Sequence, residues 1–231
     1  MDKNKLARSF AKITANAKPK QLTYNPSATF DWIQTSGLPW LELDISVPYL
    51  DIFEEIKNIQ QFFVPHRTEY NNNTGWESFC LHGKSYDATR EHEHYSDDRQ
   101  LTWTDEALKY MPKTVKYFKE VWPCREYDRL RIMKLCSKSI IELHRDGDNG
   151  TRMDPINIAI NQPEGCNFYV ESNGIVPFKQ GSAIWLDVNN YHCVINDSDQ
   201  DRYHIIIHQK TVTKEFENLV TRSYNKVYDH S

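Results

Sequence analysis

From residue 127 onward the chain changes its period. Short apolar runs follow one another: YDRLRIMKL, SIIELH, INIAIN, CNFYVE, SAIWLDV, HCVIN and RYHIIIHQ. Each is strand-sized and rich in β-branched or aromatic residues. Turn residues separate them: Asp-Gly-Asp-Asn-Gly at 146–150, Gln-Pro-Glu-Gly at 162–165, Ser-Asn-Gly at 172–174 and Lys-Gln-Gly-Ser at 179–182. Strands at this spacing predict an antiparallel sandwich or barrel, because each run can bury its apolar side only against another layer.

The first half reads differently. Residues 48–64 place Leu50, Phe53, Ile56, Ile59, Phe62 and Phe63 near helical spacing, and Pro48 suits a helix start. Residues 104–122 open on a capping Thr104 with Asp105 and Glu106 in the first turn, and Pro112 should break or restart the helix. These aromatic stripes read as core. The expectation is one domain, mostly β with flanking helices, built on a barrel of the cupin or jelly-roll kind. Residues 1–25 form a basic N-terminal arm, 26–125 a helical support with a possible lid, 126–210 the strand core, and 211–231 a C-terminal helix or tail.

Composition narrows the function classes. With 39% hydrophobic residues the chain can build a core, so disorder is excluded for most of it. A formal charge of −4 argues against a nucleic-acid partner, although an acidic protein can still carry a basic site for acidic substrates. No run approaches the roughly 18 apolar residues of a membrane helix, so no membrane partner is expected. The start, MDKNKLARSFAKITANAKPK, is basic and lacks the apolar stretch of a secretory signal; it reads as a disordered or docking arm. The five cysteines are odd in number and show no Cys-x-x-Cys spacing, which fits reduced thiols and a cytoplasmic location.

The chemistry concentrates at SIIELHRDGDNG, residues 139–150. His144 and Asp146 are two apart at a strand end, so both side chains reach one side and can share an ion. A third ligand from a distant strand would complete a facial triad of two histidines and one carboxylate, which leaves open positions on iron(II). His192, in NNYHCVIN, stands in that place. Ten residues on, Arg202 sits on an apolar strand beside Tyr203 and Ile205, Ile206 and Ile207. There a guanidinium is costly unless paired, and its fork matches the far carboxylate of a small dicarboxylic acid chelating the same ion. His-Arg-Asp also opens a kinase catalytic loop, but that loop needs Asn at 151, where this chain has Thr151, and no Asp-Phe-Gly is present.

His144-x-Asp146, His192 and Arg202 resemble the iron(II)- and 2-oxoglutarate-dependent oxygenases. The pattern is most similar to the aspartyl/asparaginyl β-hydroxylase group, which includes bacterial proline cis-hydroxylases. The likeness runs through an H…N-x-S…R pattern (His192, Asn196, Ser198, Arg202) and through RIM at 131–133, PEGC at 163–166 and GSAIWLDV at 181–188. It implies a double-stranded β-helix, Fe(II) held by His144, Asp146 and His192, and 2-oxoglutarate held by Arg202. It also implies hydroxylation of an unactivated C–H bond in an amino acid, a peptide or protein side chain, or another small molecule, using dioxygen and releasing succinate and carbon dioxide. Halogenation is disfavoured, since Asp146 is present. Where the group often has Arg-x-His, this chain has Pro155 and Asn157; Asn157 can give the cosubstrate one uncharged hydrogen bond. Arg131 is grouped with the cosubstrate residues, and both Arg129 and Arg131 could instead face a substrate acid or pair with surface carboxylates.

Other histidines receive blander readings. His92 and His94 lie in a charged stretch that reads as part of a lid over residues 84–100. His204 and His208 alternate with isoleucines and read as core or supporting groups, and His66 and His82 receive no role. The competing functions are a cupin-type metalloenzyme that does not use 2-oxoglutarate and a non-catalytic binding barrel.

Overall fold

The computed structural model describes residues 2–66, 75–89, 100–146 and 153–229. Two antiparallel sheets face each other, with helices flanking them. The larger sheet runs β1 (Trp40–Glu42), β10 (Ala183–Leu186), β7 (Ile156–Ala159), β12 (Arg202–Gln209), β5 (Tyr127–Leu135), β3 (Trp76–Gly83) and β2 (Val64–Pro65), with β4 (Thr102–Trp103) paired to β3. The smaller runs β6 (Ile140–His144), β11 (His192–Asn196), β8 (Cys166–Val170) and β9 (Gly174–Ile175). This is the jelly-roll arrangement; the described strands form two facing sheets rather than one closed ring.

Side-chain alternation on β12 explains how the layers share one strand. Tyr203, Ile205 and Ile207 join Leu130, Ile132, Ile156 and Ile158 in a core on the outer face. That core is closed by α2 (Phe30–Thr35), α3 (Tyr49–Ile56), α4 (Asp105–Tyr110), α5 (Pro112–Glu120) and α6 (Lys214–Tyr228). The alternate residues Arg202, His204, Ile206 and His208 take the opposite face, toward the smaller sheet. With helices on one side and a second sheet on the other, the central strands β7 and β10 are buried at every position. This is why their sequences read as continuous apolar runs rather than alternating ones.

The helix signals act locally. Thr104 accepts from the Ala107 N–H at 3.3 Å, and Pro112 starts α5 instead of interrupting a longer helix. Pro48 stands one residue before α3, which tightens into a 3-10 turn over Lys57–Phe62. The N-terminal arm is an ordered helix, α1 (Lys3–Thr14), capped by the Asp2 carboxylate. Its Ala7 and Ala11 pack on Ile140, Cys193 and Ile195 behind the smaller sheet. Arg8 holds Asp197 through two contacts, at 2.9 and 3.1 Å. Of the two readings of the arm, docking is the one observed.

One expectation changes. Residues 26–125 supply strands as well as helices, since β3 pairs with β5 along most of its length. The run WESFCLHG hides this because β3 is buried at six of its eight positions, which removes the alternation that marks a half-buried strand. The lid expected over 84–100 falls mostly outside the described residues, as do His92 and His94. Among the described residues no helix is long and apolar enough to cross a membrane. All five cysteines are unpaired, and burial pushes the Cys124 thiol up to about 11, which keeps it protonated and unreactive.

His82 on β3 packs between Trp103 and Tyr127, and burial lowers its pKa from 6.5 to about 4. The unfolded chain therefore binds a proton that the folded chain refuses, and stability falls as pH drops from 6.5 toward 4. The full shift corresponds to nearly 2 kcal/mol between pH 7 and 5; solvent contact at this partly buried ring reduces the expectation to about 1 kcal/mol. Urea denaturation of wild type and His82→Phe at both pH values should show that difference disappearing in the variant. Identical pH dependence in the two proteins would remove His82 from the acid response.

Candidate active site

The smaller sheet sets the geometry. His192 opens β11 directly opposite His144 at the end of β6, with the ring centroids 4.3 Å apart. The ladder then shifts, with Val194 opposite Ile141, so β6 carries one extra residue beside the pair. Asp146 lies just past the strand end, where its backbone N–H donates to the Val188 carbonyl at 3.0 Å. Its Oδ1 is 3.5 Å from His144 Nε2. One ligand atom from each of His144, Asp146 and His192 falls within 4.8 Å of the others.

Both rings are oriented by the same device. His144 Nδ1 is 2.7 Å from the Glu142 carbonyl oxygen, and His192 Nδ1 is 2.9 Å from that of Asn190. A carbonyl oxygen can only accept, so each Nδ1 carries a proton, and in the neutral ring it is Nε2 that presents the lone pair. Phe168 stacks on the His192 ring at 5.3 Å and 16°, which fixes its plane. Two neutral imidazole nitrogens and one carboxylate oxygen on adjacent faces fit a first-row divalent ion such as iron(II). The donor set therefore suits the metal that the sequence pattern implies.

The triad opens onto a cavity between the sheets that is partly open to solvent. Arg131 from β5 and Asn157 from β7 both line it, and each is 3% exposed. Arg202 is placed differently. It is fully buried behind the wall, where Nε donates to Gln162 Oε1 at 3.2 Å and Nη1 to His204 Nδ1 at 3.0 Å. The Phe178 ring lies 5.1 Å from its guanidinium carbon, while Nη2 has no hydrogen-bond partner. Burial lowers the Arg202 pKa, but a guanidinium starts so high that it stays charged.

His204 stands between Arg202 and the cavity, on the wall itself. Burial first, and then the Arg202 charge, hold its pKa well below the usual histidine value, so the ring is neutral. Its Nδ1 accepts from Arg202, which leaves the ring proton on Nε2. His204 holds Arg202 through this contact, and its place on the cavity wall follows from its sharing a strand face with Arg202. His66 and Trp76 also line the cavity, and no local signal marked them. They reach it because β3 pairs with β5, a contact between distant parts of the chain. His208 is on the wall as well, with Nδ1 3.2 Å from the Asp154 carboxylate.

The N-x-S part of the pattern is structural. The Asn196 side-chain amide donates to the carbonyls of Leu135, Cys136 and Gln200, at 3.1, 3.1 and 2.8 Å. Ser198 Oγ donates back to Asn196 Oδ1 at 2.6 Å. This knot ties the turn after β11 to the end of β5, and so delivers Arg202 to its position opposite Leu135.

The sequence model of the aspartyl/asparaginyl beta-hydroxylase family matches residues 48–211 of this chain. Several solved structures are similar in fold. A 2OG-Fe(II) oxygenase family oxidoreductase from Burkholderia pseudomallei is 13% identical, with 81% of this chain and 93% of that one covered and a TM-score of 0.45. A prolyl hydroxylase from Trichoplax adhaerens, solved with a hypoxia inducible factor peptide fragment, is 15% identical over 78% and 86%, with a TM-score of 0.47. The viral collagen prolyl hydroxylase of Paramecium Bursaria Chlorella virus-1 is 12% identical over 74% and 96%, with a TM-score of 0.42. No curated protein matches the chain in sequence.

Proposed function

Since this chain belongs to the aspartyl/asparaginyl β-hydroxylase family, an oxygenase family, we propose that it is an iron(II)- and 2-oxoglutarate-dependent hydroxylase. Its substrate would be an amino acid, a peptide or protein side chain, or another small molecule bearing an unactivated C–H bond. The observation that carries this reading is the convergence of His144, Asp146 and His192, with both Nδ1 protons already committed to backbone carbonyls.

When bound, the metal and 2-oxoglutarate together supply the activation of dioxygen, with the cosubstrate leaving as succinate and carbon dioxide. The residues of the chain bind, orient and exclude. His144 and His192 offer Nε2 without having to lose a proton, and their rings need no reorientation on loading. Arg202 takes the far carboxylate of 2-oxoglutarate through its unpartnered Nη2, and a modest shift of His204 would open that contact. Asn157, on the central strand facing the same cavity, adds an uncharged hydrogen bond. Trp76, Met133, Ile141 and Phe168 form an apolar stretch of the wall, which would help keep water from the reacting carbon.

Anaerobic addition of iron(II) and 2-oxoglutarate should produce the visible absorption of a 2-keto acid chelate. Admission of dioxygen should then release succinate. A metalloenzyme that dispenses with 2-oxoglutarate is the second reading, and one observation favours it: Arg202 stands behind His204 instead of on the wall. Iron binding without the chelate absorption and without succinate would select that reading.

A further inference from the structure

One arginine on the cavity wall carries unanswered donors. Arg131 is 3% exposed, lines the cavity, and donates from Nη1 to the Thr89 carbonyl at 3.1 Å. Among the described residues its buried Nε and Nη2 meet no oxygen or nitrogen acceptor, and the Cys80 thiol beside the side chain is at most a weak one. Leaving buried N–H groups of a charged side chain unpaired is costly. Such a pair, side by side on one edge of a guanidinium, has the shape of the two oxygens of a carboxylate.

The second guanidinium is too far away to share that carboxylate. Arg131 lies opposite Ile206 on β12, four residues along the strand from Arg202. At about 3.3 Å per residue the two positions are separated by about 13 Å along the sheet. The anchors of the two side chains also pull apart. Arg202 is held by Gln162 and Phe178 at one end of the sandwich, while Arg131 is held by Thr89, beyond the far end of β3. A five-carbon diacid with one end on the metal has one carboxylate left, and it can meet one of these arginines only.

The remaining charges point the same way. Arg129 and His208 face each other across β5 and β12 beside Arg131, and both line the cavity. Among the described lining residues Asp146 contributes the one carboxylate, which belongs to the candidate metal triad, while the Asp154 carboxylate is taken up by His208 at 3.2 Å.

We propose that Arg131 is the anchor for an acidic group of the substrate, a carboxylate by preference, so that the enzyme acts on an anionic substrate held at the end of the cavity opposite Arg202. This rests on the reading that 2-oxoglutarate occupies the metal and Arg202. Arg131 then serves as a specificity-determining residue. It orients the substrate by its acid group and leaves the carbon to be hydroxylated facing the triad.

The test follows the two guanidiniums separately by NMR, in zinc-loaded protein labelled with arginine ¹⁵Nε. Arg131→Lys and Arg202→Lys assign the two Nε–H signals by their disappearance. One equivalent of 2-oxoglutarate should move the Arg202 signal and leave that of Arg131 in place. Acetate titrated into this complex should then move the Arg131 signal saturably, while acetamide should not. Arg131→Gln should weaken acetate binding at least ten-fold and change 2-oxoglutarate affinity less than two-fold. An Arg131 signal indifferent to acetate overturns the proposal, while a normal Arg202 response keeps the cosubstrate reading. An Arg131 signal that moves with 2-oxoglutarate itself overturns the proposal by making Arg131 the cosubstrate anchor. An Arg202 signal that stays in place with 2-oxoglutarate, with that of Arg131 also unmoved, counts against the underlying reading.

Discussion

Replacing His192 by alanine is expected to abolish succinate release while the protein keeps its fold. The ring carries one of three candidate ligand atoms, and its other contacts, with Phe168, His144 and the Asn190 carbonyl, all lie at the edge of the smaller sheet, so its loss should open the metal site more than it disturbs the sheet. Removing a group that only orients a ligand costs about 10–100-fold in metal affinity or activity, and removing the ligand itself should exceed that. His144→Ala and Asp146→Ala should behave alike. Circular dichroism and a denaturation midpoint establish that each variant is folded, and equilibrium dialysis against iron(II) or manganese(II) measures the loss. Wild-type metal affinity in all three variants would mean that the ion, if there is one, sits elsewhere.

The second large effect belongs to Arg202. Arg202→Ala should weaken 2-oxoglutarate by about 2–5 kcal/mol, the scale for deleting one partner of a desolvated charge pair. That is roughly 30- to 4,000-fold in affinity. Metal binding should be nearly unchanged. Because Arg202 is fully buried and also holds Gln162 and His204, alanine leaves a cavity and two unmatched groups. Arg202→Lys is therefore the informative companion: it keeps charge and much of the volume, but lacks the fork that bonds two partners and a carboxylate together. Calorimetric titration of 2-oxoglutarate into manganese(II)-loaded protein should rank wild type above lysine, and lysine above alanine. Equal affinity in all three would move the cosubstrate away from this arginine.

Much of the site was open to reading because its parts are local. A strand ending in His-x-Asp needs only the two-residue repeat of extended backbone to aim both side chains one way, and β6 runs to His144 as the pattern required. The strands β5, β11 and β12 have the boundaries that their apolar runs and turn residues mark. The restart of a helix at Pro112 is equally local, since it follows from the missing N–H of proline.

What lay outside reach was whatever depends on partners distant in the chain. The strand at 76–83 carries no alternation, because helices bury one face and the site-bearing interior the other, so it could be recognised only by its pairing with β5. Through that pairing His66 and Trp76 arrive on the cavity wall. The roles of Asn196 and Ser198 show the same limit, for a motif position that seems chemical proves to be a knot between two strand ends.

The sequence alone therefore determined the candidate ligands His144, Asp146 and His192, the strand-built core and the presence of a buried arginine after the second histidine, because each is carried by spacing within one element or between its neighbours. Tertiary structure decided which face each strand turns inward, that Arg202 is screened by His204, and that Arg131 faces the same cavity with two donors unanswered. The physical reason is that strand pairing joins residues far apart in the chain. The cost of an unpaired buried charge exists only once those contacts have removed the water.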